Sequence, residues 1–133
     1  MRYSDLVEVY EEIGKTTKRL EITDTLVKFL RSCPPDLIDK VVYLTQGRIY
    51  PEFIPLELGM ADKMIIRCIA QASTAKESEV EQLYKSLGDL GKVANTLLSK
   101  GKKQVTLDLF STTKKADHIT IERVYADLDK IAR

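Results

Sequence analysis

The apolar residues of this chain return every three or four positions in seven successive segments, and in none do they alternate convincingly as a half-buried strand requires. That period restricts the fold to packed helices. Leu6, Val7, Tyr10 and Ile13 share one face of SDLVEVYEEI, with Ser4 as the expected cap and Gly14 as the stop. Leu20, Ile22, Leu26, Phe29 and Leu30 form the inward face of a second helix, from Thr17 to about Cys33, which Pro34-Pro35 ends. A third is expected from Pro35, a residue suited to the first helical position, through DLIDKVVYLTQ to Gly47. GRIYPEFIP then reads as an extended, proline-punctuated loop. Three more helices are expected: Gly59 to Ser73, a Ser78/Glu81 capping-box start running to Leu87, and Asp89 to Ser99. The last, Thr120 to Ala132, turns Ile121, Val124, Tyr125, Leu128 and Ile131 inward. The expected fold is all-α, a compact bundle of about seven short helices in a single domain spanning residues 1–133.

Composition narrows the function classes. With 44% hydrophobic and 31% charged residues the chain can bury one ordinary core, and nothing in it is fibrous or collagen-like. Its longest apolar runs, such as MIIRCIA, fall far short of a bilayer span, and MRYSDLVEVYEE has acids where a signal peptide needs an apolar stretch. A cytoplasmic protein is expected, with no membrane partner. Cys33 and Cys68 belong to no CxxC or Cys/His cluster and read as buried free thiols, and a single histidine, His118, argues against zinc. Glu11-Glu12, Asp36 and Asp39 read as solvated acids on helix surfaces. No phosphate-binding GxxxxGK[ST] or GxGxxG is present.

Net charge is only +1, but it is uneven: residues 1–99 carry 13 Lys/Arg against 15 Asp/Glu, and residues 100–133 carry 8 against 5. One element repeats. LGMADKM at 58–64 and LGDLGKV at 87–93 lie 29 residues apart, and each places a lysine four residues after its Leu-Gly glycine. If Gly59 and Gly88 open helices, each unit brings uncovered backbone N–H groups, a positive dipole end and an ammonium (Lys63, Lys92) to one place, which is a phosphate cradle. The competing reading is that the glycines only punctuate helices and the lysines are solvated. A repeated helical hairpin can straddle a duplex through its backbone, because phosphate contacts need no sequence information. The expected DNA-binding residues are Arg48, Gly59, Lys63, Gly88, Gly91, Lys92, Lys100, Lys102 and Lys103.

The segment GKKQVTLDLFSTTKK, 101–115, places Gln104, Leu107 and Phe110 at three-residue steps between lysine clusters. In an extended or 3₁₀ segment these would point one way, as a polar anchor and two apolar plugs. The pattern QxxhxxF resembles the peptide by which many replication and repair proteins dock on the DNA sliding clamp (PCNA). Ser111 stands where that motif usually has a second aromatic. Alternatively, VTLDLF is a short strand burying Val105, Leu107 and Leu109.

With these pieces placed, YLTQGRIYPEF, LELGMADKMIIRCIA, KSLGDLGKVANTLL and ITIERVYADLDKIA, in that order, resemble the N-terminal DNA-binding domain of ATP-dependent DNA ligases of the archaeal and eukaryotic type. The resemblance runs from about Tyr3 to Arg133. It implies an all-helical module with internal pseudo-symmetry that grips nicked double-stranded DNA across the minor groove, acting as a monomer in the nucleoid, with clamp docking at about 101–117. It also implies adenylation and OB-fold domains elsewhere in the protein, using ATP and magnesium. The KxDG lysine of that chemistry does not occur here, so the chain reads as a non-catalytic binding fragment without its own cofactor. The alternative is a helical protein-interaction adaptor that never touches DNA, which the near-neutral charge favours.

Overall fold

The computed structural model describes residues 1–105 and 118–133, with side chains to residue 100 in the first stretch. Seven α-helices occupy them: α1 (Tyr3–Gly14), α2 (Arg19–Ser32), α3 (Ile38–Thr45), α4 (Asp62–Ser73), α5 (Glu77–Leu87), α6 (Leu90–Val105) and α7 (Ile121–Ala132), with a 3₁₀ turn at Pro35–Leu37. The all-α expectation holds. The contacts divide into two compact units, one made of Met1–Gly59 with Lys115–Arg133, the other of Met60–Lys114.

In the first unit α1 packs on α2 and α7, and α3 on α7. Leu6, Cys33, Val41 and Ile121 are its buried centre, covered by Met1, Tyr3, Tyr10, Phe29, Leu30 and Leu44. Each fully buried Leu or Ile contributes roughly 1.5–3 kcal/mol. The two ends of the unit are tied by an antiparallel bridge between Arg2 and Thr120, in which Tyr3 N–H donates to Ile119 C=O at 2.8 Å and Ile121 N–H to Met1 C=O at 3.1 Å. This bridge corrects one expectation: Arg2, not Ser4, stands at the cap of α1, because the bridge sets where the helix begins and leaves Ser4 inside it. At the other end of the bridge Thr120 does cap, its hydroxyl accepting the Arg123 N–H at 3.3 Å.

Helix α2 departs further from its pattern. Leu20, expected inside, is 80% exposed, since only the second half of the helix, at Phe29 and Leu30, reaches the core. Ile131, near the end of α7, is likewise 51% exposed. The loop after α3 turns back on α7. Ile49 is buried, Tyr125 donates its hydroxyl to the Ile49 carbonyl, and Tyr50 donates to the Asp129 carboxylate. Burial pushes the Tyr125 phenol up, with Asp39 and Tyr43 adding to it, so it remains a protonated donor.

The second unit is a three-helix cluster in which α4, α5 and α6 each touch the other two. Ile66, Ile69, Ala70, Val80, Val93 and Leu97 fill its centre. With Ile66, Ile69 and Ala70 turned inward, Cys68 lies on the opposite side of α4 and is exposed, not buried as expected; Cys33 is buried. Helix α5 starts at Glu77 with Lys76 at its cap and no side-chain bond there, so the Ser78/Glu81 box does not form. Its register is set by Val80, which is fully buried. Helix α6 continues to Val105, past the expected stop at Ser99, so Lys102, Lys103 and Gln104 begin in helical rather than extended backbone. Leu107 and Phe110 lie outside the described residues, as do the side chains of Lys102, Lys103 and Gln104.

Candidate nucleic-acid interface

Both glycines of the repeated element adopt the same left-handed backbone, Gly59 at φ 59° and Gly88 at φ 69°. Only glycine takes up that conformation without steric cost. Neither opens a helix, which corrects the sequence expectation. Gly59 lies three residues before α4, and Gly88 ends α5, its N–H returning to the Tyr84 carbonyl at 2.8 Å. The repeat is a left-handed glycine followed within two or three residues by a new helix, with Lys63 second in α4 and Lys92 third in α6. Both lysines are exposed, and neither forms an ion pair among the described residues.

The two helix starts differ in chemistry. At α6 the Asp89 carboxylate accepts the Lys92 N–H at 2.9 Å, so one of the uncovered donors is already taken. A Cβ on Gly91 would come within 3.0 Å of that carboxylate oxygen, which accounts for glycine there by local packing. At α4 the cap position is Ala61, and no side chain is bonded to the first N–H groups. The Asp62 carboxylate accepts a long bond of 3.5 Å from Tyr84 instead. Both starts therefore carry a carboxylate beside their uncovered N–H groups, Asp62 at α4 and Asp89 at α6.

Arg67 was not singled out in the sequence. It follows Lys63 by one helical turn on α4 and is exposed, with a 3.8 Å ion pair to the exposed Glu77. On α6 the exposed Asn95 and Ser99 continue the Lys92 side of the helix, Ser99 bonding Asn95 at 3.3 Å. Extending each lysine by three, four and seven residues would have found them. Lys100 is exposed farther along α6. Arg48 belongs to the first unit, where Glu52 holds its guanidinium at 2.8 Å. The second unit carries nine Lys/Arg against six Asp/Glu, and three of those acids, Glu77, Glu79 and Glu81, sit on α5. Among the described residues no group of three or more His, Cys, Asp or Glu is gathered to hold a metal ion, and no helix is long and apolar enough to cross a membrane.

Residues 2–133 match the family model described as DNA ligase N terminus. The chain belongs to the N-terminal domain family of ATP-dependent DNA ligases. Among relatives of this ligase domain, "DNA ligase 2" of Thermofilum pendens is 44% identical over 98% of the chain. The DNA ligases of Staphylothermus marinus and Saccharolobus solfataricus are 40% and 38% identical, each over 99% of it. The chain spans 22–23% of the length of these relatives.

Proposed function

We propose that this ligase domain binds nicked double-stranded DNA through phosphate and minor-groove contacts, as the non-catalytic N-terminal part of an ATP-dependent DNA ligase acting in replication, repair and recombination. The observation that carries this reading is the repeated left-handed glycine with an exposed lysine in the first turn of the following helix, at Gly59/Lys63 and Gly88/Lys92. Backbone donors and a dipole end beside an ammonium favour a phosphate oxygen over a base edge. Arg67, one turn after Lys63 on α4, is proposed to add to that contact, and Gly91, Lys100, Lys102 and Lys103 complete the proposed set. Arg48 is proposed to reach a phosphate once it displaces Glu52. Nick sealing with ATP and magnesium is assigned to adenylation and OB-fold domains, the further domains of the ligase, which act as this domain's partners.

Labelled nicked duplex titrated with the chain, followed by fluorescence anisotropy, tests the proposal. Exchanging Lys63 and Lys92 together for glutamine should weaken binding and flatten the log–log salt slope by about 2, one for each lost phosphate contact. Equal binding by parent and variant would favour the adaptor reading.

The segment QVTLDLF is proposed to recruit the sliding clamp through Gln104, Leu107 and Phe110. Phe110→Ala should weaken clamp binding by about 2 kcal/mol, roughly thirtyfold, without lowering the melting temperature. An aromatic in place of Ser111 should tighten it. A less stable Phe110→Ala chain whose parent binds no clamp would assign the segment to the core instead.

A further inference from the structure

Phe53 is 83% exposed, in a loop that is otherwise held firmly. The loop leaves α3 through Gly47, whose N–H returns to Leu44 C=O at 3.0 Å, and Arg48, whose N–H returns to Tyr43 C=O at 2.9 Å. Ile49 is then buried and its carbonyl is held by the Tyr125 hydroxyl. Tyr50 is fixed by Asp129 and by Arg133, which donates to the Tyr50 hydroxyl at 3.0 Å and to the Asp129 carboxylate at 3.1 Å. Beyond this anchor a β-turn closes between Ile54 N–H and Pro51 C=O at 3.0 Å and places Phe53 at its third position. Pro51 and Pro55 stiffen both sides.

An aromatic ring held out on such a finger is prepared to be covered. Two surfaces could cover it. A protein partner would need an apolar patch on the order of 800 Å² on each side, and the exposed neighbours of Phe53 in the loop are Glu52, Pro55, Leu56 and Glu57, of which only Pro55 and Leu56 (38% exposed) are apolar, far less than such a patch. A lone ring beside a guanidinium instead has the form of a wedge for a duplex, whose minor groove is only about 6 Å wide and whose walls are phosphates. The Arg48–Glu52 pair at the base of the turn is exposed, so exchanging carboxylate for phosphate costs little.

We propose that the turn at 51–54 is a DNA-contacting finger in which Phe53 enters the minor groove and lies against the base stack, with Arg48 on the adjacent phosphate. This rests on the duplex binding proposed above and adds an apolar contact to it. The chain contains no tryptophan, so Phe53→Trp supplies a single indole at the site. Adding nicked duplex should quench its emission and protect it from acrylamide, while anisotropy reports the binding itself. Phe53→Ala should bind the duplex roughly tenfold more weakly with an unchanged salt slope, since stacking rather than charge is lost. Its melting temperature should equal the parent's, because the ring is outside the core. An indole that stays open to acrylamide on bound duplex, with Phe53→Ala binding as tightly as the parent, overturns the finger and leaves the lysine contacts standing. No duplex binding by the parent overturns both. An indole protected only by protein supplied from the rest of a ligase assigns the turn to interdomain docking and also overturns the proposal.

Discussion

Thr74 is the one non-glycine residue with positive φ among the described residues, at 58° just past the end of α4. A β-branched side chain in the left-handed region costs roughly 1–2 kcal/mol, and the Thr74 hydroxyl recovers little of it through its bond to the Ser73 carbonyl at 2.7 Å. Thr74→Gly should therefore stabilise the chain by about 1 kcal/mol, raising the melting temperature by several degrees; a lower melting temperature would mean that the hydroxyl matters more than the strain. Glu122, in the first turn of α7, works through charge. Its own backbone N–H holds the carboxyl below the usual 4.5, with the Thr120 hydroxyl among the smaller contributors. Because the folded value is depressed, its contribution is present above the unfolded value and is lost as pH falls through the folded one. The melting temperature of Glu122→Gln should fall below the parent's at pH 6 and converge with it as pH drops below about 4.5. A gap that persists undiminished at pH 3 would contradict that origin.

At the scale of the element, the start of α6 separates two roles of one side chain. Asp89 caps the helix through the Lys92 N–H, yet it places a negative charge where a phosphate is proposed. Asp89→Asn keeps a capping oxygen and removes the charge, so stability should change by less than about 0.5 kcal/mol while duplex affinity rises severalfold; Asp89→Ala should lose about 1 kcal/mol of stability. Weaker duplex binding by Asp89→Asn would remove the start of α6 from the interface. The helices themselves were legible because their apolar period answers to a core that each segment meets locally, as at Ile66, Ile69 and Ala70. Their ends were less so. Where α1 starts depends on Thr120, more than a hundred residues away, and where α5 starts depends on the burial of Val80, neither of which a capping pattern at Ser4 or Ser78 reports. Leu20 fits the period of α2 but lies beyond the reach of the core.

Across the whole molecule, charge follows the division into units. The first carries 12 Lys/Arg against 14 Asp/Glu and the second nine against six, so a net charge of +1 conceals one basic unit. The sequence located the Gly–Lys repeat because it is local; it did not reveal Arg67, Asn95 or Ser99, whose relevance depends on helical phase, or the anchored turn at Phe53, which depends on Tyr125, Asp129 and Arg133. A basic unit that reads phosphates binds any duplex sequence alike and releases counterions as it does so. The most direct test of this account is the affinity of the parent chain for nicked duplexes of unrelated sequence, measured across a range of salt. The account predicts equal affinities and a log–log slope of about −2 to −4, corresponding to roughly two to four neutralised phosphates. No binding at low salt, or binding indifferent to salt, would contradict it.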